Sequence, residues 1–408
     1  MSSLSRYFLS TLFLLLTIVF VFTLNPERKE LRGFGENDFR AYWGASYLLA
    51  SNERFNSNDL LFNLQQRLTY PTTGNPIPQK GTALMTWNPP WILALFVPFT
   101  FFNFYDASFL WLLINIFFFV WSIEAIWALW PEQHKVSGRK IWLYASVLMF
   151  LPFWNTLILG QITPMLLFGL VGTIYFATTY PFIAGMCLTL LSAKPHLFLV
   201  TLPILLIDAF SKKNWRLIIG FVSALLALTS VSLWLRPNLF FDYLGDSGSP
   251  TQIAILQSVF LPFMMAYLVG WLPLRFLGVL IAPFSLIPWA RIWRNFSSSN
   301  RVLHLAIITQ LTSLFLAPYG FLFDLVLVLP IIWVTLLAIM PTSVSPKKQL
   351  TVVFGLIISS FSMLLIQASG LWLLNFTWFM PVILGFYLVA QPFKRGQHMP
   401  LEVGANDK

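Results

Sequence analysis

The reading of this chain turns on YFLSTLFLLLTIVFVFTL, residues 7–24, and on ENDFRAYW, Glu36 to Trp43, which follows shortly after. The first stretch is apolar and long enough to cross a bilayer, which takes about 20 such residues. It has no clear small-x-small cleavage site, and Asn25-Pro26-Glu27-Arg28 comes next, so it reads as an uncleaved helix and not a signal peptide. The second stretch opens a polar segment that runs to about residue 88, the longest in the chain. Asp38 therefore sits where a membrane helix meets water. A carboxylate there is well sited for proton chemistry on a lipid-borne substrate.

Composition agrees with a membrane setting. Of 408 residues 57% are hydrophobic and only 10% charged, with a mean hydropathy of +0.74. Soluble domains carry about 25% charged residues. The 41 Phe, 17 Trp and 26 Pro exclude a uniform leucine bundle, and prolines in membrane helices need neighbours or cavities to satisfy the freed backbone. The net charge of +10 fits a bias of basic residues to cytoplasmic loops better than nucleic-acid binding, which is not expected. The single Cys187 permits no intramolecular disulfide and no cysteine metal site.

Placing the basic clusters in the cytoplasm organises the rest. These are Lys135/Arg139/Lys140, Lys212/Lys213/Arg216, Arg291/Arg294/Arg301, Lys347/Lys348 and Lys394/Arg395. Helices are then expected at about 107–130, 141–159, 163–179, 181–193, 197–210, 217–235, 270–290, 302–317, 324–340, 350–368 and 370–391. With the first helix this predicts an all-α integral membrane bundle of roughly twelve crossings, both termini inside. The apolar stretches 88–103 and 251–267 fit only if they lie on the outer face or re-enter. In the first outer loop Phe39, Tyr42, Trp43, Ser46, Tyr47 and Ala50 share one helical face, which predicts an interfacial helix with aromatics in the headgroup layer. A second helix is expected from Asn58 through Leu68, and Tyr70 to Pro76 reads as loop. No internal repeat or low-complexity segment is evident.

Ionisable groups at membrane depth are costly and point to function. This topology gathers Asp38, Arg40, Gly160-Gln161, Lys194-Pro195-His196, Asp242, Asp246 and Tyr319 to Asp324 on the outer side. Each has a plainer alternative. Asp38 is either a base or the N-cap of a helix beginning at Phe39. Lys194 is an anion ligand or a cation marking a membrane surface. His196 is a core residue, a metal ligand or a phosphate partner; no second His lies at ligand spacing, so no metal is expected. Gln161 is a site residue or a polar helix end, and Asp324 a site residue or a helix cap. His134 and His304 read as loop or helix-end residues.

An ordered set of short motifs then carries a resemblance. Asp38-Phe39-x-x-Tyr42 follows the first helix, and Asn88-Pro89-Pro90 leads into LFVPF (95–99). Trp154-Asn155 precedes Gly160-Gln161, Lys194-Pro195-His196 precedes KKNWR (212–216), and Ala317-Pro318-Tyr319 precedes Asp324. In this order, over roughly 30–340, the chain resembles the GT-C superfamily of polyprenol-phosphate-sugar-dependent glycosyltransferases, most closely the family-87 type that uses polyprenol-phosphate-mannose. The resemblance implies a GT-C-like bundle with a catalytic transmembrane core at 1–340 that includes the 25–90 outer loop. A C-terminal helix pair follows at 341–391 and a cytoplasmic tail at 392–408. It implies inverting transfer of a hexose, often mannose, to a lipid or glycan acceptor at the extracytoplasmic face of a plasma (inner) membrane, as in cell-envelope glycolipid biosynthesis. By position Asp38 would be the general base, Lys194 and His196 would contact the donor phosphate, and Gln161 would shape the donor site with Arg40. Tyr42, Asn88, Tyr319 and Asp324 are further candidates for substrate contact. No cofactor, nucleotide sugar or metal is implied. Two departures stand out: Phe321-Leu322-Phe323-Asp324 occupies a place where some members have His, and the Pro-Pro element follows Trp87-Asn88.

The rival reading is a multi-helix transporter or lipid-linked-sugar flippase. Such folds favour repeats and polar groups near the midplane. Here the polar residues are expected on one face.

Overall fold

The computed structural model describes residues 13, 14, 17, 36–69, 83–130, 140–245, 258, 260–293, 301–340, 344–369 and 377–390. Most of the first apolar run, the Tyr70 to Pro76 loop, Lys135, Arg139, Asp246, Lys394, Arg395 and the 392–408 tail lie outside these residues. Every described regular element is helical.

Among the described residues, the apolar runs expected to be helices are helical, with breaks. Four elements are long and apolar enough to span a bilayer: Phe104–Leu129, Trp215–Leu235, Leu322–Ile339 and Pro346–Ile366. A fifth is the pair Ile141–Leu148 and Leu151–Leu159, bent by 63°. The bend falls at Phe150, the extended N-cap of the second helix, and Pro152 stands in the first turn of that helix, where its missing N–H breaks no intrahelical bond. The other apolar helices, among them Thr163–Phe176, Pro181–Ala193 and Thr201–Ser211, have 10–17 residues. At about 1.5 Å per residue each falls short of the ~30 Å hydrocarbon layer. Of the roughly twelve expected crossings, four or five elements among the described residues have spanning length and composition. Pro and Gly cut the remaining apolar runs into shorter pieces.

The Leu322–Ile339 element is the centre of the packing; from Leu325 to Val334 its apolar side chains are at most 4% exposed. The outer helices present apolar side chains outward, for example Trp234, Leu226, Phe354 and Phe361. Helices Pro181–Leu190 and Trp215–Leu235 cross at backbone contact. A Cβ on Gly185 would lie 2.0 Å from Leu217 O, and one on Gly220 2.0 Å from Phe182 O. Small residues at such crossings let helices associate by close van der Waals contact.

The first outer loop differs from the expected interfacial arrangement. Helix Glu36–Ala50 is sunk into protein: Phe39, Tyr42, Trp43, Ala45, Ser46 and Leu49 are buried. Phe39 packs on Phe96, Phe99, Phe104 and Trp111. Trp43 Nε1 donates to Phe99 O at 3.1 Å, and Ser46 Oγ to Leu93 O at 3.1 Å. The aromatic pattern that reads as headgroup-facing is a packing face, and only Tyr47 and Ala50 of the set are exposed. The partner surface is the segment 88–103, which forms two 3-10 turns, Pro90–Leu95 and Val97–Phe101, and no element of spanning length. In 251–267, the described part contains the nine-residue helix Leu261–Val269.

Candidate functional site

The site is assembled from chain breaks. Asp38 lies within helix Glu36–Ala50, inside its first turn and not at an N-cap before Phe39. There the free N–H groups favour a carboxylate. Gln161 sits in the short link between helices Leu151–Leu159 and Thr163–Phe176. Gly160 closes the first with φ 69° and ψ 38°, a left-handed geometry that suits glycine. Lys194 separates two three-residue 3-10 turns, held extended (φ −133°) by the following Pro195. Asp324 lies in the first turn of the 3-10 segment Leu322–Val328, long for a helix of that type.

These breaks bring four separate segments together. Gln161 Nε2 donates to Asp38 Oδ2 in a short hydrogen bond. Lys194 Nζ reaches Gln161 Oε1 at 3.3 Å and Asp324 Oδ1 at 2.8 Å. Thr163 Oγ1 donates to the same Asp324 oxygen at 3.0 Å, and the Phe321 N–H to Asp324 Oδ2 at 3.0 Å. The Lys194 ammonium also lies 4.7 Å from the centroid of the Phe323 ring. The result is a polar chain, Asp38–Gln161–Lys194–Asp324, inside an apolar shell. Asp324 thus keeps its capping role and adds an ion pair to it.

Around the chain, Tyr42 OH donates to Asn88 Oδ1 at 3.1 Å, and Asn88 Nδ2 to Ala193 O at 2.8 Å, next to Lys194. Trp91 Nε1 donates to Ser192 Oγ at 3.2 Å. His196 stacks on Tyr319, ring centroids 4.2 Å apart and planes 22° apart. Of the residues singled out from the sequence for this side, Asp38, Gln161, Lys194, His196, Tyr319 and Asp324 gather here, and Arg40 acts through its charge on Asp38. Asp242 does not join them. It forms a brace with Arg236 at 2.7 Å and Arg54 at 3.7 Å. Thr163 was missed, although its place two residues after Gln161 puts it on the same chain break. No group of three metal-ligating side chains occurs among the described residues.

Electrostatics separate the two carboxylates. Burial pushes the Asp38 carboxyl above the usual range, and the Gln161 bond and the Lys194 charge partly oppose it; Asp324 adds to the rise and Arg40 lowers it. Asp38 is half-buried, whereas the Asp324 side chain is 1% exposed and both its oxygens already accept hydrogen bonds. The arrangement can hold one carboxylate ready to take a proton while the second is neutralised in place.

A family model described as glycosyltransferase family 87 matches residues 86–318. The match includes Asn88, Gln161, Lys194 and His196 and stops short of Asp38 on one side and Asp324 on the other. No curated protein and no solved structure matches the chain.

Proposed function

The chain belongs to glycosyltransferase family 87, and from that premise we propose that it is a membrane hexosyltransferase using a polyprenyl-phosphate sugar. The sugar is mannose by resemblance, and the acceptor is a hydroxyl of a lipid or glycan at the extracytoplasmic face of a plasma (inner) membrane. The observation that carries the reading is the asymmetry of the two site carboxylates. Asp324 has both oxygens engaged, by Lys194, Thr163 and the Phe321 N–H. Asp38 has one oxygen held by Gln161, and its raised affinity for a proton suits a base working near neutral pH.

The chemistry is a single displacement. The acceptor oxygen attacks the anomeric carbon, its proton passes to Asp38, and the bond to the phosphate oxygen breaks with its electron pair on the polyprenyl phosphate. One base suffices because the leaving group is good, in contrast to the paired carboxylates of glycoside hydrolases. Inversion follows from the single displacement. Gln161 orients Asp38, and Lys194 holds Gln161 from behind. The donor phosphate lies on the Lys194 and His196 side of the site, where positive charge stabilises the departing anion. Tyr42 and Asn88 frame the acceptor side. The scheme uses no cofactor, metal or nucleotide sugar.

The test is transfer from radiolabelled polyprenyl-phosphate-mannose to a membrane lipid extract by protein in nanodiscs, wild type against Asp38→Asn. Loss of the base should lower the rate by about 10²–10⁴-fold with unchanged folded yield. Comparable product from both proteins would overturn the base assignment, and no product from either would overturn this donor and acceptor pair.

A further inference from the structure

Arg275 is the polar group that the site described above leaves over. It stands alone in an apolar stretch, in the 3-10 turn Leu272–Phe276 that leads into helix Leu277–Trp293. Its Nε and Nη1 atoms are buried and have no hydrogen-bond partner among the described residues. The guanidinium carbon lies 4.8 Å from the centroid of the Phe276 ring. That contact favours the cation and leaves the in-plane N–H groups unsatisfied. Buried donors left without a partner are unfavourable, and they call for one that the protein itself does not supply.

Its position says which partner. The charge of Arg275 acts on the Tyr319 hydroxyl, as does that of Asp324, and the Tyr319 ring stacks on His196. Arg275 is thus near enough for its charge to act on the tyrosine that stacks on His196, and it comes from a segment that none of the recognised motifs includes. Lys194, by contrast, already spends its ammonium on Asp324 and Gln161. A planar guanidinium with free N–H groups matches two phosphate oxygens at once. The flanking surface indicates how the anion arrives. Phe276, Leu280 and Phe284 are exposed at four-residue spacing, an apolar stripe leading away from Arg275 along one face of the helix.

We infer that Arg275 is the ligand of the donor phosphate. It binds the phosphate ester of a prenyl lipid whose chain lies along the Phe276, Leu280 and Phe284 face, and Lys194 is a positioning residue for Gln161. The inference rests on the glycosyl-transfer reading for the purpose of the phosphate. The site itself stands without that reading.

Binding can be read with no acceptor present, so absence of transfer would not touch it. Protein in phosphatidylcholine nanodiscs is titrated with tritiated undecaprenyl phosphate, with undecaprenol and with inorganic phosphate as competitor. Wild type should bind the phosphate at least tenfold tighter than the alcohol. Arg275→Gln should lose that preference while binding the alcohol as before, and Arg275→Lys should fall between. The melting temperature of Arg275→Gln should be unchanged or higher, because buried donors left without a partner are removed. Competition by inorganic phosphate only at far higher concentration supports a lipid-borne source, and equal competition supports the phosphate site but assigns it to free phosphate. Undecaprenyl phosphate affinity within twofold of wild type in Arg275→Gln overturns the inference. So does a wild type that does not distinguish the phosphate from the alcohol, or a loss of binding in Arg275→Gln that extends equally to undecaprenol.

Discussion

Lys140 and Lys194 are both buried lysines bound to a carboxylate, and their surroundings differ in a way that separates a brace from a site. Lys140 pairs with Glu124, whose other oxygen accepts from Tyr144 OH at 2.5 Å. The partners are 16 and 20 residues apart and join helix Phe104–Leu129 to its neighbour Ile141–Leu148. Both Glu124 oxygens are engaged, each within the two adjacent helices. The Lys194 chain joins residues 33, 123, 130 and 161 positions apart. It ends on Asp38, whose second oxygen has no role in the chain. Local pairs tie adjacent helices together at small entropic cost, whereas a relay of long-range contacts demands closure of long loops. The difference teaches that what marks a site in this fold is a polar chain with one open end, not a buried ion pair as such.

The sharpest way to break that comparison is at Lys194. Its side chain is 9% exposed and that of Asp324 1%, so Lys194→Ala strands a buried carboxylate. Removing one partner of such a pair costs about 3–5 kcal/mol, and the single variant should lose most of its folded yield. The double variant Lys194→Met with Asp324→Asn removes both charges and should recover most of the stability, measured as the melting temperature in detergent. Transfer should stay lost in the double variant, since Gln161 is no longer held. Recovery of transfer along with stability would make this pair a brace like that of Lys140.

A smaller effect is expected at Gln161. A hydrogen bond to a charged group is worth about 1.5–3 kcal/mol, so Gln161→Leu should lower kcat about tenfold or more at neutral pH. The pH profile carries the sign. Asp38 must be unprotonated to act, so kcat/KM should rise with pH through its raised pKa. The Gln161 bond lowers that pKa, so its removal should move the acid limb to higher pH. An acid limb at the same pH in both proteins would show that the titrating base is another group.

How much was legible beforehand follows from these same residues. Asp38, Lys194 and Asp324 stood out because charge is scarce in the chain, and Gly160 and Pro195 marked the breaks that position Gln161 and Lys194. The helices themselves followed from apolar runs bounded by Pro and Gly. What escaped was packing. The aromatic face of Glu36–Ala50 has one periodicity whether it meets lipid or Phe96 and Phe99, so the pattern could not say which. The number of crossings was not legible in the same way, because an apolar run records burial in lipid or in protein alike, and four or five elements of the described residues have the length and composition of a span. Arg275 was passed over although a lone cation in an apolar stretch is the same signal that drew attention to Lys194. It lacked a neighbouring motif, and only in the folded protein does its charge act on Tyr319.

The smallest effect belongs to the brace, and it is the control on which the comparison depends. Lys140→Met removes the partner of Glu124, a residue whose side chain is 34% exposed and which keeps its Tyr144 bond. Water can therefore take up much of the lost interaction, and the cost should be about 1 kcal/mol, a drop of roughly a degree or two in melting temperature. Transfer per folded molecule should stay within twofold of wild type, because nothing links Glu124 to Asp38 through hydrogen bonds among the described residues. A large fall in kcat at unchanged stability would mean that the closed cluster communicates with the open one. An open end would then no longer distinguish a site from a brace in this fold.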